Sequence, residues 1–100
     1  MVKTAFIVLR SPHEQDPTHA VKRIASREEA SVILFEDGVY NALLPGRAAG
    51  LAEVAGDVLV AEDDLKARGF SGSDLKTGRT VPYADIVDCI METTERTVSL

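Results

Sequence analysis

SVILFE, residues 31–36, is an unbroken apolar run between polar neighbours, and its lack of alternation decides the fold. A strand with one wet face alternates apolar and polar residues, whereas a strand buried on both faces reads as a continuous hydrophobic stretch. Two other runs share this character, KTAFIVL at 3–9 and VLVAE at 58–62. Three such strands separated by helix-length segments imply a mainly parallel sheet with helices on both faces, joined by right-handed crossovers. The expected architecture is α/β, a three-layer α/β/α sandwich built as a single domain over residues 1–100.

Working outward, RSPHEQDP at 10–17 is rich in turn formers, and Asp16 before Pro17 reads as an N-cap with proline in the first helical turn. Val21, Ile24 and Ala25 recur at i, i+3 and i+4, which predicts a helix over about 17–28. Beyond 31–36, Asp37 is expected to cap a short helix, GVYNALL, ended by Pro45 and Gly46. RAAGLAEVAG at 47–56 is ambiguous, with a helical turn or two the most it suggests. EDDLKARG at 62–69 reads as a short helix with acids in its first turn, Lys66 and Arg68 in its last, and Gly69 as its stop. FSGSDLKTGR reads as loop and TVPY at 80–83 as a short fourth strand. ADIVDCIMETTE at 84–95 carries apolar residues at 86, 87, 90 and 91, the pattern of a final amphipathic helix.

Composition narrows the function classes. With 45% hydrophobic and 27% charged residues, the chain has the make-up of an ordinary packed domain. No run approaches the roughly 20 apolar residues of a membrane span, and the first ten residues do not resemble a signal peptide, so a cytoplasmic location is expected. The net charge is −5, and residues 51–100 hold ten acidic against five basic side chains. That field disfavours direct nucleic-acid or anionic-membrane binding, both of which need a basic footprint. The single cysteine, Cys89, excludes an internal disulfide and a multi-cysteine zinc site.

In parallel α/β folds, sites gather where strands end at their carboxyl termini, here the loops at 10–13, 36–38 and 62–64. Neither phosphate-loop signature is present, so no nucleotide or other cofactor is expected. His13, beside Ser11 and Glu14, is a candidate general base, although an exposed loop histidine is the plainer reading. His19 falls on the polar face beside Lys22 and Arg23, and the two histidines lack partners at metal-ligand spacing. Cys89 is the one candidate nucleophile. Asp85 and Glu92, neighbours on the same helix, should raise its pKa, and its place flanking the apolar stripe suits a packing residue. The acidic triplet Glu62, Asp63 and Asp64 reads as a solvated helix start. Val39, Tyr40, Leu43 and Leu44 cover more of a short helix than one packing face requires, which marks them for partner contact or for wrapping by residues 47–56.

Four segments together resemble the DsrH/TusB family of sulfur-relay subunits: RSP after the first strand, LFEDGVYNAL at 34–43, DDLKARGFSG at 63–72 and VPYADIVD at 81–88. Their order and spacing follow the family pattern over nearly the whole chain. The resemblance implies a parallel, five-strand-type fold shared with DsrE/TusD-like and DsrF/TusC-like subunits, assembly with them, and passage of sulfur as a cysteine persulfide. The destination is 2-thiouridine in tRNA or dissimilatory sulfur oxidation, and the principal acceptor cysteine is implied on the DsrE/TusD-type subunit. The cysteine that some DsrH members carry in the first helix is missing here, near Ala20 and Val21, and TVSL at 97–100 replaces a tryptophan often found near the C-terminus. The expectation is a non-catalytic subunit. The alternatives are a sulfurtransferase using Cys89, or a self-associating binding module.

Overall fold

The structure, a computed structural model, describes residues 3–10 and 17–100. Five parallel strands form one sheet in the order β4-β3-β2-β1-β5. They are β1 (Thr4–Val8), β2 (Ala30–Leu34), β3 (Asp57–Ala61), β4 (Arg79–Val81) and β5 (Arg96–Ser99). β2 is buried at every residue, as its unbroken run implied. In-register pairing places Phe6 beside Val32 and Val32 beside Val58, which builds one apolar layer, and Ile33 beside Leu59, which builds the other.

The first layer is thick. Phe6, Val8, Val32, Leu34, Val58 and Val60 pack with Val21 of α1 (Thr18–Ile24), Leu51 of α2 (Pro45–Val54) and Leu65 of α3 (Glu62–Ala67). The opposite layer is thin. Ala5, Ile33, Leu59, Ala61 and Val81 meet only Ile86 of α4 (Tyr83–Asp88) and Cys89, with Phe35 and Ile90 at the margin. Helices therefore lie on both faces, as the strand composition required, but three sit on one side and one on the other.

Several elements depart from the sequence reading. The first helix ends at Ile24 rather than about 28, and Ile24 is exposed while Val21 carries the contact. Pro45 and Gly46 begin a helix instead of ending one. Pro45 stands in the first turn of α2, where its missing N–H has no partner to lose, and Leu44 before it is extended, the conformation proline imposes on its predecessor. The stretch read as ambiguous is thus the ten-residue α2, with Ala48 and Leu51 buried. Residues Glu36–Ala42 form a 3₁₀ segment rather than an α-helix, and Asp37 does not cap it. Gly38 explains why that segment can pass so close to β1, since a Cβ there would lie 2.2 Å from the Val8 carbonyl oxygen.

α3 and its stop follow the reading, with Gly69 at φ +82 after the last turn. The final helix is shorter than expected. It gives way at Cys89–Thr93 to a π turn closed by the Thr94 N–H on the Cys89 carbonyl at 3.0 Å. β5 then lies parallel to β1, in the stretch read only as TVSL. The inward stripe is 86, 89 and 90, and Val87 and Met91 are 55% and 76% exposed. The cause lies in the layer: no second helix lies beside α4 among the described residues, so its flanks stay uncovered.

Candidate functional site

In an open parallel sheet, a crevice forms where neighbouring strands send their following helices to opposite faces. Here that place is between β3 and β4, because α3 packs on the thick layer and α4 on the thin one. The first turns of both helices flank it, and the end of β2 forms its side wall.

Asp64, half-buried in the first turn of α3, is the hub. One carboxylate oxygen accepts the Glu36 N–H at 2.8 Å, and the other accepts the Tyr83 O–H. Tyr83 lies stacked on Phe35, with ring centroids 6.0 Å apart and planes 19° from parallel. Glu36 adopts φ +47, a left-handed conformation that costs a non-glycine residue about 1 kcal/mol. Its N–H is aimed at Asp64 in that conformation. Arg68, immediately after α3, reaches Asp37 at 2.9 Å and the Asp64 carbonyl at 3.0 Å. One helix thereby fixes two successive residues at the start of the loop after β2.

Tyr83 is held protonated: its hydrogen bond to Asp64, some burial, and the charges of Asp64, Asp63 and Glu36 push its pKa up to about 12. Such a tyrosine is a hydrogen-bond donor and no base at neutral pH. With both Asp64 oxygens engaged, the crevice is braced by its own side chains. It orients loops and holds no free nucleophile among the described residues.

The sequence reading missed this cluster. Of the triplet Glu62, Asp63 and Asp64, only Asp63 is the solvated acid that the sequence suggests. Glu62 pairs with Lys66 at 2.8 Å, and Asp64 ties β2, α3 and α4 together. Asp37 was expected to cap a helix and pairs with Arg68 instead. No local motif announces these partners, which lie 19 to 31 residues apart.

Cys89 stands elsewhere. It is 9% exposed in the thin layer and opens on a cleft of about 240 Å³ with Asp57, Arg79, Asp85 and Asp88. Asp57 and Arg79 are the first residues of β3 and β4, so the thiol lies at the amino-terminal edge of the sheet, opposite the crevice. Burial raises its pKa first and Asp57 second, against smaller opposing effects of Arg79 and Lys3. The expected direction holds, but the causes are not the helical neighbours Asp85 and Glu92.

His13 lies outside the described residues, as do Ser11, Glu14 and Asp16. His19 is exposed. Of the four residues marked for partner contact, Val39 is fully enclosed by this chain and Leu43 packs against the same core. Tyr40 meets Phe70 edge-on at 6.0 Å, and Leu44 is 39% exposed. Among the described residues no group of three His, Cys, Asp or Glu could hold a metal ion, and no helix is long and apolar enough to cross a membrane.

Among curated proteins none matches this chain. Among solved structures, the solution NMR structure of protein Tm0979 from Thermotoga maritima is similar. It has a TM-score of 0.63 and 24% identity, with 86% of this chain and 90% of that one covered. At that identity the likeness speaks for the shared fold. The profile of the family described as DsrH like protein matches residues 10–96, from the end of β1 into β5. A match of that extent, over the segments that build both helix layers and the crevice between them, places this chain in the DsrH-like family.

Proposed function

We propose that this chain is a non-catalytic subunit of a cytoplasmic sulfur-relay complex, in which a DsrE/TusD-like subunit carries the persulfide and a DsrF/TusC-like subunit completes the assembly. The relay serves 2-thiouridine formation in tRNA or dissimilatory sulfur oxidation. The supporting observation is the state of the only thiol. In persulfide transfer an acceptor thiolate attacks the outer sulfur of a donor persulfide, the S–S bond breaks, and the donor leaves as a thiolate with no net oxidation. Cys89 is 9% exposed, its pKa is raised, and it lies at the opposite end of the sheet from the crevice. Low exposure and a raised pKa both slow that attack.

The test is to incubate the purified protein with a cysteine desulfurase and cysteine, then to measure intact mass. The expected result is an unmodified chain. A gain of roughly 32 Da, one sulfur atom, that vanishes in Cys89→Ser would refute the reading. Copurification of tagged protein with a thiol-bearing relative tests the assembly.

A second reading, with Cys89 as the carrier, has one observation in its favour. The thiol opens on a cleft beside Arg79, whose charge partly offsets the rise in its pKa. The same mass measurement separates the two.

A further inference from the structure

The thin layer leaves a helix flank uncovered. α4 and its π turn are the only helical cover on that face among the described residues, and they bury the stripe Ile86, Cys89 and Ile90. Tyr83, Val87 and Met91, spaced four apart, are 41%, 55% and 76% exposed. Of the six large hydrophobic residues exposed among the described residues, three lie on this one flank, which is a patch rather than scatter. Tyrosine and methionine are the residue types enriched at the centre of protein interfaces.

The charges around the stripe decide what can cover it. Residues 80–95 contain four acids, Asp85, Asp88, Glu92 and Glu95, all exposed, and no base. The nearby Arg79 pairs with Asp57 at 3.3 Å, and Lys3 lies close enough to act on Cys89. A second copy packed through this flank about a two-fold axis would set acids against acids, an arrangement that costs several kcal/mol in like-charge contacts. An anionic membrane is disfavoured for the same reason.

We infer that the Tyr83–Val87–Met91 flank of α4 docks a different protein subunit, one that presents an apolar groove rimmed by lysine and arginine. This rests on the relay reading for the identity of the partner and on the exposed stripe and its acidic rim for the surface. The docked subunit supplies the cover that a second helix would give. It leaves the crevice at the strand carboxyl ends oriented by Asp64 and Tyr83.

The test uses the purified chain with the DsrE-like and DsrF-like subunits of the same host, each measured for its Kd. Sedimentation of the chain alone accompanies it. One variant combines Val87→Asp with Met91→Asp, both solvent-facing positions, and its fold is checked by circular dichroism. Ile24→Asp, an exposed apolar position on the other layer, is the control. A third variant combines Asp85→Lys with Glu92→Lys. The chain alone should sediment as a monomer, and one of the two subunits should bind it with a Kd that rises with salt. The double aspartate variant should weaken binding about tenfold or more, and the control should change it by less than about threefold. The lysine pair should weaken binding and flatten its salt dependence.

Unchanged binding by the double aspartate variant overturns this surface and leaves the relay reading intact. If the native chain binds neither subunit, both fall. A dimer of the chain alone that the double aspartate variant dissolves makes the occupant a second copy and refutes the inference.

Discussion

Replacing Asp64 by alanine tests whether one carboxylate holds the strand-end loops together. It removes the acceptor of two hydrogen bonds, from the Glu36 N–H at 2.8 Å and from the Tyr83 hydroxyl. Each contributes about 1 kcal/mol, below the usual value for a charged partner because water competes at a half-buried position. Loss of an acid from the first turn of α3 adds about 0.5 kcal/mol. Relaxation of Glu36 from its left-handed conformation gives back about 1 kcal/mol. The net loss is about 1.5 kcal/mol, which for a domain of this size lowers Tm by roughly 6–12 °C. Thermal melting followed by circular dichroism measures this. Spectrophotometric titration of Tyr83 in a Tyr40→Phe background gives an independent readout. Its pKa of about 12 should fall towards the ordinary value of 10.0 once Asp64 is gone. In the native protein this tyrosine stabilises the fold fully below pH 10, and the contribution disappears as pH rises through about 12. A melt within about 2 °C of wild type, together with an unmoved Tyr83 titration, would refute the role assigned to Asp64.

Gly38→Ala should cost roughly 3 kcal/mol or more, because the new methyl meets the Val8 carbonyl 2.2 Å away; chemical denaturation measures it, and a loss below 1 kcal/mol would show that the 3₁₀ segment can shift. Ile86→Ala should cost about 2–4 kcal/mol and Val87→Ala less than about 0.5, since the first is 1% exposed and the second 55%; similar losses would mean that the helix is rotated. Cys89 should react with iodoacetamide at pH 8 several-fold more slowly in the folded than in the unfolded chain, because burial keeps the thiol protonated. The same raised pKa means that its stabilising contribution is complete below the ordinary thiol value of 9.0 and lost as pH rises beyond it. Equal alkylation rates in the two states would contradict this.

What the sequence disclosed and what it withheld divide along a physical line. Buried strands announce themselves through composition, so SVILFE, KTAFIVL and VLVAE located β2, β1 and β3 to within a residue or two. β5 escaped because its residues, RTVS, are mostly exposed at a sheet edge and lack the apolar signature. Pro45 misled because proline both ends helices and begins them, and only the burial of Ala48 and Leu51 chooses between the two. The stripe at 86, 87, 90 and 91 was too broad because periodicity cannot count how many helices share a face. Cys89 is buried in the thin layer beside Ile86, while the charge beside it, Asp57, comes from a strand more than thirty positions earlier. Asp64, Tyr83, Phe35 and Glu36 were individually ordinary. Their conjunction depends on β2, β3 and β4 ending side by side, which tertiary pairing alone produces.

The place of β5 beside β1 has a consequence for how the protein is made. Thr4 pairs with Arg96, and the Arg96 side chain also reaches the Thr4 hydroxyl and the Ile24 carbonyl. The partner of the first strand is thus synthesised 92 residues later. At about 5–20 residues per second, a ribosome leaves one side of β1 open for roughly 5–18 s after that strand emerges. During that interval the nascent sheet presents a bare edge with Phe6 and Ile7 in it, a template to which any other extended chain can add. The speed of translation and capture by a chaperone therefore decide how long that edge stays available. Slowing synthesis between β1 and β5 should raise aggregation without altering a single native contact.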